Sequence, residues 1–594
     1  MRLNFDCLQK ESLPTVCPDD LVINYGVVPP PLDESVISAP RSTSELKRAS
    51  SLIEAWRLTR VSKWNHLREY SGHLPKSYVL VIDQYLDDAS VEQGNARVEN
   101  FSLMLDVALA ENPDCDVVVL VHPKVSAETK HGHFDPARLK SMPRVLLMPE
   151  DKHPVRLIEE SKAVYTVTSL IGFEALIWGK PVRTFGMPFY SGWGLTQDDL
   201  LAPKCRRPVQ LENLVHAALV DYPRYADPET GERCEPERVI EWMWLQRRIR
   251  ERFAPHLAAY DILRCKQSIV REFAQGSIIK FVAAGAQVPS GSDCIVWGRK
   301  PVPPSMSSSQ RVIRLEDGFM RSVGLGAEFV RPLSWVMDRR GIYYDSTLPS
   351  DLEHLLMTTV FDHALLQRAR DLRQRIVNSG LTKYNVGLGR WQRPARAGRV
   401  ILVPGQVESD ASIALGAPED VCTVRRNMDL LRAVRLDNPD AYIVYKPHPD
   451  VLAGLRKEGA NESLALQWCD EQVLDMPMNV MLACVDEVHV ITSLTGFEAL
   501  LRGKKVVCHG QPFYAGWGQT DDKVPVVRRI RRLTIDELVA GTLILYPTYV
   551  SRKTRRFTTP ERALDELLEW RAEGDRKLSL WRRLYRFYLG FYRY

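Results

Sequence analysis

Val488-His-Val-Ile-Thr-Ser-Leu-Thr-Gly-Phe-Glu-Ala-Leu-Leu-Arg-Gly503 reads as strand, turn and helix. A β-branched apolar run ends at Thr492-Ser493, helical spacing follows, Gly503 stops the helix, and Lys505-Val-Val-Cys508 starts another strand. That is the crossover unit of a parallel sheet. It occurs twice, because Thr168-Ser-Leu-Ile-Gly-Phe-Glu-Ala-Leu176 returns as Thr492-Ser-Leu-Thr-Gly-Phe-Glu-Ala-Leu500. Each copy is followed by an aromatic-glycine segment, Phe189-Tyr-Ser-Gly-Trp-Gly194 and Phe513-Tyr-Ala-Gly-Trp-Gly518. The chain thus serves as its own two-row alignment.

The repeat extends outward from there. Val79-Leu-Val-Ile-Asp-Gln-Tyr-Leu-Asp-Asp-Ala-Ser90 answers to Ile401-Leu-Val-Pro-Gly-Gln-Val-Glu-Ser-Asp-Ala-Ser412, and Val118-Val-Leu-Val-His-Pro-Lys124 to Ile443-Val-Tyr-Lys-Pro-His-Pro-Asp450. Val61-Ser-Lys-Trp-Asn65 lines up with Leu381-Thr-Lys-Tyr-Asn385, and Tyr222-Pro-Arg-Tyr225 with Tyr546-Pro-Thr-Tyr549. Upstream of Leu381 the second copy holds Trp297-Gly-Arg-Lys300 and Arg314-Leu-Glu-Asp-Gly-Phe319, which have no counterpart before Val61. The first copy therefore begins partway through the module.

Short apolar runs alternating with helical stretches predict an α/β fold of parallel sheets with ligands at the carboxyl edges of the strands. Two such Rossmann-like domains facing one another form a GT-B-like module. The expected organisation is a remnant of a first acceptor half over 1–72, a first donor half over 73–239, linker helices over 240–276, a second acceptor half over 277–393, a second donor half over 394–570, and a basic aromatic tail over 571–594. At 594 residues, with 26% charged and 45% hydrophobic positions, the chain is a multi-domain globular protein and not a disordered one. A formal charge of +5 gives no bulk electrostatic case for nucleic acid. Eleven cysteines without a C-x-x-C pair, no apolar run long enough to span a bilayer and no secretory signal point to a cytoplasmic location and no metal site.

Several polar groups fall at predicted strand ends. Ser493 and Thr495 would place hydroxyls and free backbone N–H groups at a helix N-terminus, a setting that suits a phosphate and equally suits an ordinary helix cap. His448, preceded by Lys446, adds a second donor at the same edge. Glu316 and Asp317, after the strand Val312-Ile-Arg-Leu315, could hold a general base or simply form a solvated acidic turn. Asp410 caps a helix in its plainest reading, and Asp88 keeps its Asp-Ala-Ser context in the first copy.

Taken together, Arg314-Leu-Glu-Asp-Gly-Phe319, Gly405-Gln-Val-Glu-Ser-Asp-Ala-Ser412, Tyr445-Lys-Pro-His-Pro-Asp450, Thr492 to Leu500 and Pro512-Phe-Tyr-Ala-Gly-Trp-Gly518 resemble the capsule polysaccharide β-Kdo transferases of the KpsC/LipA type, over about residues 20 to 570. The resemblance implies tandem modules that use CMP-Kdo, with no cofactor or metal, to build a Kdo linker on a phosphatidylglycerol-type glycolipid. It implies that Gln406, Lys446, His448, Pro449, Thr492, Ser493, Thr495 and Glu498 line a CMP-sugar site. Asp410 would be the nucleophile of a double displacement, with Glu316, Asp317 and Glu408 as further catalytic carboxylates.

The first-copy equivalents are Asp88, His122, Ser169 and Glu174, expected to be inactive without an acceptor half; a misplaced start codon would account for the short copy as well. The tail Leu580-Trp-Arg-Arg-Leu-Tyr-Arg-Phe-Tyr-Leu-Gly-Phe-Tyr-Arg-Tyr594 is expected to hold the protein peripherally at the inner membrane, where other capsule assembly proteins are expected partners. The alternatives are a non-catalytic scaffold of capsule assembly and a CMP-sialic acid transferase.

Overall fold

Two contiguous units meet at Glu251 and Arg252. The computed structural model describes residues 37–121, 131–148, 152–322, 331–382, 389, 391–452, 459–474 and 476–573. His122 and the aromatic tail lie outside the described residues, and no described helix is long and apolar enough to cross a membrane.

In the first unit, β1 (Tyr78–Ile82), β2 (Asp116–Leu120), β3 (Val145–Leu147), β4 (Val164–Thr166), β5 (Val182–Thr184) and β6 (Gln197–Asp198) form one parallel sheet in the order β3-β2-β1-β4-β5-β6. All five residues of β1 are buried. Tyr78, Leu80 and Ile82 join the core on one face, and Val79 and Val81 join the core on the other. A strand covered on both faces reads as an unbroken apolar run, which is why its sequence does not alternate. The helix Thr43–Thr59 opens with a capping box between Ser42 and Glu45 and buries Leu52, Ile53 and Trp56. It packs on the helix Leu170–Ile177: Arg57 Nε donates to Ile177 O at 2.6 Å. A short hairpin, β7 (Tyr225–Ala226) with β8 (Arg233–Cys234), precedes the helix Pro236–Arg250 that ends the unit.

The second unit holds two sheets. β9 (His256–Tyr260), β10 (Ile278–Val282), β11 (Asp293–Trp297), β12 (Val312–Asp317) and β13 (Ser334–Asp338) build the first, in the order β10-β9-β11-β12-β13, parallel up to β12 and antiparallel from β12 to β13. β14 (Val400–Pro404), β15 (Tyr442–Lys446), β16 (Glu471–Gln472), β17 (Glu487–Val490), β18 (Lys505–Cys508) and β19 (Asp521–Asp522) build the second, parallel, in the order β16-β15-β14-β17-β18-β19. That order repeats the first unit strand for strand. After β19 the chain returns, and β20 (Thr548–Val550) with β21 (Phe557–Thr558) adds to β13.

Two expected boundaries are corrected. The interval 240–276 is not a pair of linker helices, because Leu257-Ala-Ala-Tyr260 forms the buried central strand β9 between the helices Pro236–Arg250 and Arg264–Phe273. Nor do residues 394–570 form one half, since β20 and β21 belong to the sheet of the preceding half. In the first unit the matching hairpin β7-β8 stands as a separate two-stranded sheet.

Candidate functional site

Strand order reverses between β14 and β17, and side chains just beyond their carboxyl ends meet there. Gln406, buried after β14, spans the gap: its Oε1 accepts Thr492 N at 2.9 Å and its Nε2 donates to Thr492 Oγ1 at 3.1 Å. The first unit repeats the clamp, with Gln84 Oε1 accepting Thr168 N at 3.0 Å and Gln84 Nε2 donating to Thr168 Oγ1 at 3.0 Å. The amides of Gln406 and Gln84 are thus spent on holding two turns together. Gln406 and Thr492, read from sequence as sugar-nucleotide contacts, are bonded to each other.

Ser493 caps the helix Leu494–Leu501, its Oγ accepting Thr495 N at 3.3 Å. Ser169 does the same for Leu170–Ile177 by accepting Ile171 N at 3.3 Å. The aromatic-glycine motif explains the glycine that follows. Tyr514 donates its hydroxyl to Ser493 O, and a Cβ on Gly496 would lie 2.3 Å from that oxygen. Tyr190 repeats the bond to Ser169 O at 2.5 Å, with the same 2.3 Å conflict at Gly172. Trp193 and Trp517 donate to Phe189 O and Phe513 O at 2.8 Å. The second repeated motif is therefore a buried brace behind the helix N-terminus.

His448 follows β15 and accepts Asp450 N at Nδ1, 3.1 Å away, so the neutral ring carries its proton on Nε2. Lys446 ends β15 and is buried, and its carbonyl accepts Gly405 N at 2.8 Å. A Cβ at Gly405 would meet His448 N at 3.2 Å and Tyr445 Oη at 2.8 Å, so glycine permits this approach. The first unit differs at both places. Strand register sets Leu120 where Lys446 stands, and Asp83 follows β1 where Gly405 follows β14. Asp83 is buried, accepts Gln84 N at 2.8 Å and His133 N at 3.1 Å, and burial pushes its carboxyl up to about 7.

The carboxylates sort by what already holds them. Asp317 accepts Arg321 Nε at 2.7 Å and Trp335 Nε1 at 3.2 Å, so both of its oxygens are bound. Glu408 accepts Asn427 N at 3.0 Å and Ala460 N at 3.1 Å, again with both oxygens. Glu408 ties two backbone segments together. Glu174 accepts Ser62 Oγ at 2.6 Å and Lys63 N at 2.8 Å, and burial raises its carboxyl to about 7 against those bonds. It braces the chain entering the sheet. Glu498, its repeat partner, is equally buried within its helix.

Glu316 accepts Asp317 N at Oε1, 3.0 Å away. Asp410 is exposed at the N-cap of the helix Ala411–Gly416, where Oδ1 accepts Ser412 N at 3.0 Å; Asp88 caps its helix in the same way. That helix is clasped from both sides. Ser346 N and Oγ donate to Leu415 O at 3.2 and 2.9 Å, and Gln511 N donates to Gly416 O at 2.7 Å. Tyr344, two residues before Ser346, reaches Glu316 Oε2 at 3.5 Å. Burial raises the Tyr344 phenol, and the charges of Glu316 and Asp410 raise it further. Its hydroxyl therefore stays protonated beside Glu316.

Sequence reasoning missed Tyr344, Lys266 and Arg299. Lys266 lies in the segment read as linker; its ammonium sits 3.0 Å from the centroid of Trp297, and burial lowers its pKa while Asp317 and Glu316 raise it. Arg299 pairs with buried Asp345 at 3.0 Å, beside Tyr344. The apolar run before Arg264 was the available signal for Lys266. Tyr344 carried none.

A family profile described as "Capsule polysaccharide biosynthesis protein" matches residues 39–225 and 305–549. The capsule polysaccharide modification protein LipA of Neisseria meningitidis serogroup A is 39% identical over 574 residues, covering 93% of this chain and 81% of LipA. Among solved structures, that titled "Thermosulfurimonas dismutans KpsC, beta Kdo 2,7 transferase" is 37% identical with a TM-score of 0.44, covering 53% of this chain and 99% of its own. The same organism's "KpsC, beta Kdo 2,4 transferase" is 29% identical with a TM-score of 0.47, covering 54% and 99%.

Proposed function

Since the chain belongs to the capsule polysaccharide biosynthesis protein family, we propose that its second unit is a retaining glycosyltransferase, moving Kdo from CMP-Kdo to a lipid-linked, phosphatidylglycerol-type acceptor. The observation that carries this reading is the Tyr344 hydroxyl 3.5 Å from Glu316 Oε2, on the segment whose Ser346 holds the helix that Asp410 caps. CMP bears one phosphate. Ser493 at its helix N-terminus, His448 through Nε2–H and Lys446 would hold that phosphate without a metal, with Pro449 fixing the turn and Thr495 adding a hydroxyl.

Retention then runs in two inversions. An Asp410 oxygen bonds to the anomeric carbon as the bond to the CMP phosphate oxygen breaks, and CMP leaves with the electron pair. An acceptor hydroxyl next attacks that carbon from the opposite face, Glu316 takes its proton, and the Asp410 oxygen is released. The Tyr344 hydroxyl would hydrogen-bond to the carboxylates or to sugar oxygens throughout. The first unit, with Asp83 and Leu120 at its sheet edge, is proposed to contribute no transfer in the chain as given.

The test supplies CMP-Kdo generated in situ, CMP-sialic acid and a β-Kdo-terminated lipid analogue, and follows product mass. Asp410→Ala should abolish transfer. With Glu316→Gln, intact-protein mass should gain one Kdo residue, mapped to Asp410 after digestion. Full turnover by Asp410→Ala would end the proposal, and a product from CMP-sialic acid alone would change the donor.

A further inference from the structure

Lys266 lies at the carboxyl edge of the first sheet of the second unit, as the third residue of the helix Arg264–Phe273 that follows β9. The helix gains nothing from it, because a cation in the first turn opposes the positive end of the helix dipole. Its ammonium sits 3.0 Å from the centroid of half-buried Trp297, the last residue of β11. Trp297 packs edge-on against Trp335 with centroids 5.3 Å apart, and Trp335 stacks on Phe273 at 4.6 Å. Three rings in series thus form a fixed wall behind one charge.

The neighbouring cations already have partners. Arg299 pairs with Asp345 at 3.0 Å, Lys300 with Asp261 at 2.6 Å and Arg321 with Asp317 at 2.7 Å, while Arg314 Nη1 donates to Gly298 O at 2.8 Å and Lys300 O at 3.1 Å. Among the described residues Lys266 has no carboxylate or carbonyl at such a distance. Burial works against its charge, and Asp317 and Glu316 support it from farther off. A cation withdrawn from water is ordinarily paired, so the missing partner is one the chain itself does not supply. The wall also leads to the proposed base. At Gly298, where φ is +53°, a Cβ would lie 2.8 Å from Tyr344 Oη and 3.4 Å from Glu316 Oε2, so the turn after Trp297 runs directly against Glu316.

We propose that Lys266, backed by Trp297, is the anion subsite of the acceptor, its ammonium binding an oxyanion of the acceptor molecule while the accepting hydroxyl lies at Glu316. The carboxylate of a Kdo-terminated acceptor and the phosphate of a glycerophosphate headgroup share that chemistry. The subsite rests on the transferase reading above, in which Glu316 takes the hydroxyl proton. Trp297 holds the lysine by its ring face without neutralising it, which leaves the N–H groups available to a ligand. Lys266 is thereby a specificity residue: it selects an acidic acceptor and turns it toward the base.

The experiment is calorimetric titration of the full chain with three soluble probes, a β-Kdo glycoside, its methyl ester and glycerophosphoglycerol. The parent chain should bind at least one of the two anions, and Lys266→Met should weaken that binding roughly ten- to hundred-fold while leaving CMP affinity unchanged. Lys266→Arg should restore most of it. If the sugar carboxylate is the partner, the methyl ester should bind the parent chain as weakly as the acid binds Lys266→Met; if the phosphate is, glycerophosphoglycerol is the probe that loses affinity. A lysine with a merely structural role would take CMP and the ester down together with the acid. That outcome, equal binding of both anions to the parent chain and Lys266→Met, or no binding of either anion to the parent chain would overturn the proposal. Binding that follows the prediction without any transfer from CMP-Kdo would strike the transferase reading alone.

Discussion

Gly496→Ala isolates the brace behind the candidate phosphate site. The added methyl would sit 2.3 Å from Tyr514 Oη and 2.8 Å from Cζ, in a ring with no solvent exposure. Overpacking of this kind costs about 1–3 kcal/mol. Displacing the hydroxyl also leaves Ser493 O without its partner, about 1–3 kcal/mol more. Alanine returns about 1 kcal/mol of helix propensity. The expected net loss is about 2–4 kcal/mol, concentrated in the helix Leu494–Leu501.

Tyr514→Phe removes the nearest atom, so the double variant should be less damaged than the two single losses added, with a coupling of about 1–2 kcal/mol. A chain of two units need not unfold in one step. Native-state hydrogen exchange over 494–501 is therefore the assay. The first unit supplies an internal replicate in Gly172 and Tyr190. Losses that add to within about 0.5 kcal/mol in both units would refute the reasoning, because the glycine would then not be there for the tyrosine.

Acid should weaken the second sheet of the second unit. His489 and His509 are buried beside one another, and burial holds both rings down to about 4. The unfolded chain takes up protons first, so stability is full above about pH 6.5 and is lost as pH falls toward 4, by roughly 3 kcal/mol for each ring. Replacing them with the first unit's residues at these positions, His489→Tyr and His509→Phe after Tyr165 and Phe185, should flatten the pH dependence of unfolding. Gln406→Leu should lower kcat/KM and speed exchange over 491–496, because both turn bonds vanish; unchanged exchange would count against the clamp. Asp410→Asn should remove turnover with little change in unfolding, whereas Glu408→Gln should shift the unfolding midpoint by about 1–3 kcal/mol and keep turnover.

Sequence was most informative where the molecule repeats itself. The duplicated Thr-Ser turn announced a helix N-terminus at a strand end, and both copies have one. Boundaries failed where chain order and spatial order part. β9 is a short buried strand in a segment whose charged helices dominated the reading, and β20 pairs with β13 across more than two hundred residues. No local pattern encodes such a return. Site roles were harder still. Glu408, Gln406 and Glu174 carry the residue types of catalysis, yet their hydrogen bonds are consumed by backbone and threonine, which only coordinates reveal. Glu316 and Asp317 looked equivalent, and the structure gives them different partners, Asp317 N and Tyr344 for the first and Arg321 and Trp335 for the second.

The return of the chain to its first sheet has a mechanical corollary. The polypeptide crosses between the two sheets of the second unit twice, once between β13 and β14 and again between β19 and β20. Two crossings define a line, and rigid bodies joined along a line rock about it far more readily than they slide or twist. Any opening between the two sheets is then one angular coordinate, and the separation of Glu316 on one from Asp410 on the other is its natural gauge.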